Sequence, residues 1–118
     1  MEKIEMRMAS IVIPDASDEG HIFVSIQRNV VEIFIEEFGG ATLYDCFGFW
    51  SKSQRQIACS KIDVAFHNTH ENIHKFMGVV QMVANECAEC GVHSIMAVKP
   101  DGVVIFVEGD LYDGTKNI

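Results

Sequence analysis

Two stretches of the chain repeat their apolar residues about every 3.6 positions, and both are predicted to be amphipathic helices. In the first, residues 21–38, the apolar stripe comprises Ile22, Phe23, Ile26, Val30, Ile33, Phe34 and Phe38. Ser17 and Asp18 are its candidate N-caps, and Gly39–Gly40 ends it because glycine adopts the left-handed conformation at little cost. In the second, residues 70–90, Thr69 is the predicted N-cap and Gly91 the stop.

Five stretches rich in β-branched and aromatic residues are predicted strands: 6–14, 41–50, 56–67, 94–99 and 103–107. Apolar and polar residues alternate along residues 61–66, which gives that strand one buried and one wet face. The polar residues 51–55 predict a hairpin loop between the second and third strands, and Pro100-Asp101-Gly102 predicts a turn between the last two. The order β-α-β-β-α-β-β predicts an α+β fold of the ferredoxin-like, split βαβ kind, an antiparallel sheet with two helices on one face.

The 118 residues suit a single domain, with a polar C-terminal tail at residues 108–118 that wraps the body or frays. The chain has no signal-peptide pattern and no apolar run near the roughly 20 residues that span a bilayer, so a cytoplasmic protein without membrane contact is expected. Four cysteines are then expected to be thiols. A net charge of −8 with scattered lysines and arginines argues against direct binding to nucleic acid.

The second predicted strand carries more large apolar residues than two helices can cover. Leu43, Tyr44, Phe47, Phe49 and Trp50 alternate along it, so one of the two sets points away from the helices. An exposed apolar face of this size usually marks an interface. The sequence therefore predicts a homo-oligomer, a dimer or trimer packed sheet to sheet.

Candidate ligand-binding residues lie on the strands and at the start of the second helix. Tyr44, Phe49 and Trp50 are suited to stacking on a base. His67 and His70, with the helix N-terminus, are suited to an anionic group. Asp63 and Asp45 lie on neighbouring strands, where they either face each other or pair elsewhere; Lys61 is the favoured partner of Asp63. The predicted site for a small polar, nucleotide-like ligand therefore comprises Tyr44, Phe49, Trp50, Asp63, His67 and His70.

Cys87 and Cys90 close the second helix with C-x-x-C spacing, and His93 follows. This is half of a zinc site, which would need two more ligands, such as Cys59 or His67. The favoured alternative is a core Cys87 and an incidental Cys90, so no cofactor is expected.

Four segments together resemble the phage-encoded enzymes that degrade S-adenosylmethionine (SAM lyases), which share a layered fold with the trimeric PII signalling proteins: Phe38–Gly40, Leu43–Phe66, Val79–Cys90 and Ser94–Val107. The resemblance implies a trimer with ligand sites in clefts between subunits. In the lyases, a tyrosine of the second strand and a glutamate of the third act at the cleft. Near those positions this sequence has Phe49 and Trp50, and then Cys59, Ser60 and Lys61, so the glutamate is missing.

Three functions remain open from the sequence. The favoured one is a phage-type oligomer that holds or sequesters a nucleotide-like metabolite or signal at intersubunit clefts, because the lyase glutamate is missing. The second is a SAM lyase whose turnover needs no metal and depends on groups such as Tyr44 or Asp63. The third is an acidic protein–protein inhibitor of a host factor, which would form a salt-sensitive complex.

Overall fold

The computed structural model describes residues 4–50 and 55–110. The chain forms seven elements: β1 (Arg7–Pro14), α1 (Val24–Phe38), β2 (Thr42–Trp50), β3 (Arg55–Phe66), α2 (His70–Glu89), β4 (Ser94–Val98) and β5 (Val104–Glu108). Every predicted helix and strand is present, with its ends shifted by three residues or fewer. The polar hairpin loop predicted at 51–55 lies almost entirely outside the described residues.

The five strands form one sheet in the order β2-β3-β1-β4-β5, and all neighbours are antiparallel. Strand β3 lies between β1 and β2, and β1 lies between β3 and β4. Each helix therefore connects two strands that are separated by a third, which is the split βαβ arrangement. The predicted α+β fold class is confirmed.

Helix α1 begins at Val24, later than predicted, because the preceding loop makes its own hydrogen bonds. Ser17 and Asp18 were predicted as N-caps, and that prediction is wrong. The Ser17 hydroxyl instead accepts a hydrogen bond from the backbone N–H of His21 at 3.1 Å, which closes a turn before the helix. Phe23 holds the N-cap position without any side-chain cap. A short polar side chain that can bond its own loop often competes with helix capping in this way.

The other helix ends follow the sequence. Gly39 is left-handed (φ 91°) and its N–H donates to the carbonyl of Ile35 at 2.9 Å. The Thr69 hydroxyl accepts from the N–H of Asn72 at 3.2 Å, so the predicted cap of α2 is confirmed. Gly91, just past α2, is also left-handed (φ 91°). These glycines let the chain turn sharply from each helix into the next strand.

The core lies between the two helices and one face of the sheet. Its aromatic centre joins both helices to β3: the Phe34 ring lies 6.0 Å from that of Phe76, and the Phe38 ring 4.7 Å from that of Phe66. Central strand residues such as Ile11 are fully buried against it. Neither helix of the described residues packs on the opposite face of the sheet, and we call it the open face.

The start of the predicted polar tail wraps the body. The side-chain oxygen of Asn85, on α2, accepts a hydrogen bond from the N–H of Asp110 at 2.7 Å. Gly109 runs close against α2, where a Cβ would overlap helix backbone. Residues 111–118 lie outside the described part of the chain. No helix of the described residues is long and apolar enough to span a bilayer.

Candidate functional site

The strand register arranges the residues of the open face in rows that run across the sheet. One row reads Thr42, Asp63, Ser10, Val98, Val104 from β2 to β5. The next reads Tyr44, Lys61, Val12, Met96, Phe106, and a third begins with Cys46 and Cys59. The half of the face on β2 and β3 is therefore polar, and the half on β4 and β5 is apolar.

Asp63 is the centre of the polar half. Its Oδ1 accepts a hydrogen bond from the Ser10 hydroxyl at 2.6 Å, and its Oδ2 accepts one from the Tyr44 hydroxyl at 2.9 Å. The Lys61 Nζ lies 3.8 Å from Oδ1. We call these four residues the Asp63 cluster. Three strands each contribute to it, so one carboxylate is held in a fixed orientation by β1, β2 and β3.

Lys61 gives the cluster a permanent positive charge beside the carboxylate. Its Nζ lies 5.6 Å from the centre of the Tyr44 ring, within the range of a cation–π contact. A hydrogen bond to Tyr44, and then the charge of Asp63, raise the pKa of the Lys61 ammonium above its ordinary value. Lys61 therefore stays charged at any physiological pH.

The Asp63 cluster has the chemistry to bind a small zwitterion. Asp63 keeps 15% of its side-chain surface exposed and Tyr44 keeps 40%, so both are accessible from the open face. A fixed carboxylate beside an aromatic face attracts a cation, and a lysine attracts a carboxylate. A carboxylate has about four lone-pair sites, and two hydrogen bonds leave capacity for a ligand or a proton.

A pair of cysteines occupies the next row. Cys46 and Cys59 are direct cross-strand partners, and their Sγ atoms lie 2.9 Å apart. Burial, and then the hydrogen bond with Cys46, raise the pKa of the Cys59 thiol to about 12. Both are free thiols.

A groove of about 790 Å³ runs along the open face beside the cluster. Its lining includes Lys61, the cysteine pair, Met96 and Phe106. Pockets that bind small molecules typically measure about 300–1,000 Å³ and combine apolar walls with a few polar groups. The groove therefore has the size and the mixed lining of a small-ligand site.

The loop after β1 lines one end of this groove and is held in place by hydrogen bonds from α1 and β3. Asp15 to Asp18 line the groove. The buried side chain of Gln27, on α1, donates to the Asp15 carboxylate at 2.8 Å, and Ser60 donates to the same oxygen at 3.3 Å. Helix α1 and strand β3 thus fix the position of this loop.

The structure brings together only part of the set of ligand residues predicted from sequence. Tyr44 and Asp63 are hydrogen-bonded on the open face. Phe49 alternates onto the other face of β2 from Tyr44, yet it is 71% exposed, pairs with Gln56 near the tip of the hairpin and lines the same groove as Lys61. Trp50 ends β2, and its side chain lies outside the described residues.

The two predicted histidines lie at the other end of β3. His67 directly follows the strand and His70 opens α2; both are exposed. Ten residues of β3 separate Gln56, the partner of Phe49, from Phe66, which corresponds to about 33 Å of extended strand. One small ligand cannot contact Phe49 and His67 of the same chain.

Asp45 does not face Asp63, and this alternative from the sequence is wrong. Asp45 pairs with Ser60 and Asp63 with Thr42, so strand alternation puts the two carboxylates on opposite faces of the sheet. The favoured partner of Asp63, Lys61, is confirmed by their 3.8 Å separation.

The predicted half-site for zinc is not assembled among the described residues. Cys87 is fully buried in the core, where burial raises the pKa of its thiol to about 12, and His93 is exposed. Cys90 is the C-cap of α2. Across residues 4–50 and 55–110, no three His, Cys, Asp or Glu side chains are grouped as metal ligands.

Sequence reasoning missed Ser10 and the pairing of Cys46 with Cys59. Ser10 is the one polar residue among the apolar residues 8–14, which was the available signal, and the structure shows that it is buried. A buried hydroxyl needs a hydrogen-bond partner, but only the register of β1 against β3 identifies that partner as Asp63.

Comparison with known proteins finds a similar fold among solved structures. No family model and no curated protein matches the sequence. Structures of a phage SAM lyase, in complex with S-methyl-5'-thioadenosine and in the apo state, have a similar fold with a TM-score of 0.56. The alignment covers 96% of this chain and 98% of the lyase chain, at 13% sequence identity. At this identity the likeness extends to the fold alone.

Proposed function

We propose that this chain binds S-adenosylmethionine on the open face and cleaves a carbon–sulfur bond of its sulfonium, releasing S-methyl-5'-thioadenosine. The observation that carries the proposal is the Asp63 cluster, a tyrosine-bonded carboxylate beside a lysine, on a fold shared with a phage SAM lyase. A missing glutamate weighed against this activity in the sequence. Asp63 supplies a carboxylate of β3 that a tyrosine of β2 contacts directly.

The charges of the cluster match those of the proposed substrate. The sulfonium is a cation, which the Asp63 carboxylate and the Tyr44 ring attract. The substrate's own carboxylate pairs with Lys61, whose raised pKa keeps it charged. The adenosine part extends along the groove, where Met96 and Phe106 provide apolar contacts.

The reaction balances without water, metal or redox partner. When the bond between sulfur and the amino-acid side chain breaks, its electron pair goes to sulfur, and the sulfonium becomes the neutral thioether. The released carbon either bonds to an oxygen of the substrate's own carboxylate, giving a lactone, or an adjacent C–H proton passes to a base, giving an alkene. In the second route Asp63 is the base, because it is the one carboxylate of the cluster and remains partly accessible from the open face.

We further propose that the chain is a homo-oligomer that packs through the apolar half of the open face. Val104 and Phe106, on β5, are each more than half exposed there, and Met8, on the neighbouring part of β1, is also more than half exposed. Packing on this half leaves the Asp63 cluster at the edge of the interface, in a cleft. We expect Val104→Asp to lower the subunit number in native mass spectrometry, whereas Ile35→Asp, an equally exposed position on α1, leaves it unchanged. Equal effects, or a monomeric native protein, would contradict the interface.

The activity is tested by incubating the purified protein with S-adenosylmethionine and EDTA, followed by mass spectrometry of the products. We expect S-methyl-5'-thioadenosine to accumulate, and the amino-acid product to distinguish lactone from alkene. On the alkene route, where Asp63 is the base, Asp63→Asn should reduce turnover by roughly 100-fold or more, which is within the usual range for loss of an acid–base group. On the lactone route the variant loses only the attraction of the carboxylate for the sulfonium, and the reduction should be smaller. Asp45→Asn is the matched control, since it removes the same charge from the opposite face of the sheet.

A second candidate function is binding without turnover. It is favoured by the two hydrogen bonds and the ion pair that already engage Asp63, because they occupy lone pairs that would otherwise accept a substrate proton. The same experiment separates the two functions: a tight complex with intact S-adenosylmethionine, and no thioether product, supports the binding protein and contradicts the lyase.

A further inference from the structure

Cys46 and Cys59 are positioned to react with each other. They are direct partners across β2 and β3, with sulfur atoms 2.9 Å apart. Cross-strand partners have Cβ atoms about 4.5–5.5 Å apart, and a disulfide typically has Cβ atoms about 3.5–4.5 Å apart. The strands therefore need to approach by only about 1 Å at this row for a disulfide to form.

The pair also lies in the candidate ligand groove, where its oxidation would change the surface that contacts a ligand. Both cysteines line the groove on the open face. The neighbouring row on the same face, two residues along each strand, is Tyr44 with Lys61. A change in the spacing of β2 and β3 at the cysteines is thus transmitted directly to two members of the Asp63 cluster.

We propose that Cys46 and Cys59 form a reversible cross-strand disulfide that switches the ligand groove between a reduced, binding state and an oxidised, weakened state. The disulfide itself is independent of the proposed function, whereas the effect on the groove rests on it.

The step balances with a small disulfide, such as oxidised glutathione, as the oxidant. The thiolate of Cys46 attacks one glutathione sulfur, forms a mixed disulfide and releases one glutathione thiolate. Cys59 then gives its proton to the released glutathione thiolate and attacks the Cys46 sulfur, which releases the second glutathione as a thiolate that is protonated from solvent. Two protein thiols are oxidised and one glutathione disulfide is reduced; a dithiol reverses the reaction.

The order of attack follows from exposure. Cys46 is half-buried and Cys59 is buried, so the oxidant reaches Cys46 first. The raised pKa of Cys59 keeps it protonated until the mixed disulfide has formed beside it. Formation is therefore expected to be slow compared with that of dedicated redox enzymes, and the disulfide to persist until a reductant acts.

Trypsin gives a direct test, because Lys52 and Arg55 separate the two cysteines. The full-length protein is treated with oxidised glutathione, its free thiols are alkylated, and it is digested. We expect peptides 29–52 and 56–61 to be linked, to separate on reduction with dithiothreitol, and to stay unlinked in the Cys46→Ser variant. Cys90→Ser, a half-buried cysteine elsewhere, is the control and should leave the link intact. If Cys46 and Cys59 are both alkylated, or link to other cysteines, the proposal is wrong.

The effect on the groove is measured by calorimetric titration with S-methyl-5'-thioadenosine. We expect oxidation to weaken binding by about tenfold, the effect of roughly one lost hydrogen bond, in the wild type and not in Cys46→Ser. Equal affinity of the reduced and oxidised wild type would overturn the switch. If the reduced protein does not bind this probe, the proposed function fails, while the peptide map still decides whether the disulfide forms.

Discussion

Replacing Ser10 by alanine removes the shortest hydrogen bond of the Asp63 cluster. The Ser10 hydroxyl donates to Asp63 at 2.6 Å, and Ser10 is 5% exposed. A hydrogen bond to a charged group contributes about 1.5–3 kcal/mol when the acceptor is buried. Asp63 retains 15% exposure, so water partly replaces the lost donor, and we expect the unfolding free energy to fall by about 1–2 kcal/mol.

Tyr44→Phe is the matched comparison, because it removes the other hydrogen bond to the same carboxylate. Tyr44 is 40% exposed, and water reaches the released Asp63 oxygen easily. The expected loss is therefore smaller, about 0.5 kcal/mol. Urea denaturation of both variants at pH 7 and one protein concentration gives the two values, since an oligomer's stability depends on concentration.

A double-mutant cycle shows whether the loss of unfolding free energy in Ser10→Ala comes from its hydrogen bond to Asp63. Ser10→Ala combined with Asp63→Ala should cost less than the sum of the single changes, with a coupling of about 1 kcal/mol or more. Additive effects, or a Tyr44→Phe loss equal to that of Ser10→Ala, would refute the idea that β1 holds the Asp63 carboxylate in place.

Further predictions concern the core and the close packing on α2. Gly109→Ala should lower the unfolding free energy by about 1–3 kcal/mol, because its Cβ would overlap the carbonyl oxygen of Ala84. Gly78→Ala, on an open helix surface, should raise it by about 0.5–1 kcal/mol. Thermal melts of the two variants show whether the melting temperature falls in the first and rises in the second. Stability should be retained below pH 9 and fall as the pH approaches 12, since the pKa values of the buried Cys87 and Cys59 both rise from 9.0 in the unfolded chain to about 12 on folding. Cys87→Ala should remove one of these two contributions, each of which is at most about 1.4 kcal/mol per pH unit, and an unchanged slope would exclude Cys87 as a source. Phe76→Ala should lower the unfolding free energy by about 3–5 kcal/mol, because its fully buried ring packs on two other phenylalanine rings.

The fold could be predicted because its signals are local. Helix α2 has a complete apolar stripe, a threonine cap and a glycine stop, and β3 alternates cleanly. The start of α1 could not be predicted in this way, because the Ser17 hydroxyl could accept a hydrogen bond either from a helix N–H or from the N–H of His21 in its own loop. The sequence does not distinguish these two hydrogen bonds. The structure takes the second, and the helix begins at Val24.

The site was harder to predict than the fold because it depends on strand register. Symmetric pairing around the predicted loop at 51–55 would set Tyr44 opposite Ile62, on the face that the helices cover. The actual register is one residue away, and Tyr44 lies opposite Lys61 on the open face. A slip of one residue moves every side chain of a strand to the other face. Tyr44 and Asp63 could thus be named from sequence, but their hydrogen bond could not.

The same dependence on long-range pairing explains why the chain has no sequence motif for its candidate site. Ser10 and Asp63 are 53 positions apart and meet only because β1 inserts between β3 and β4. Lys61 and Asp63, the only close pair in sequence, share a face simply because they are two residues apart on a strand. Each contact is therefore a property of the split βαβ sheet, which can be retained while nearly every residue changes. A likeness to a solved enzyme at 13% identity is consistent with this, because the fold fixes which strand positions meet, and the residues at those positions decide the chemistry.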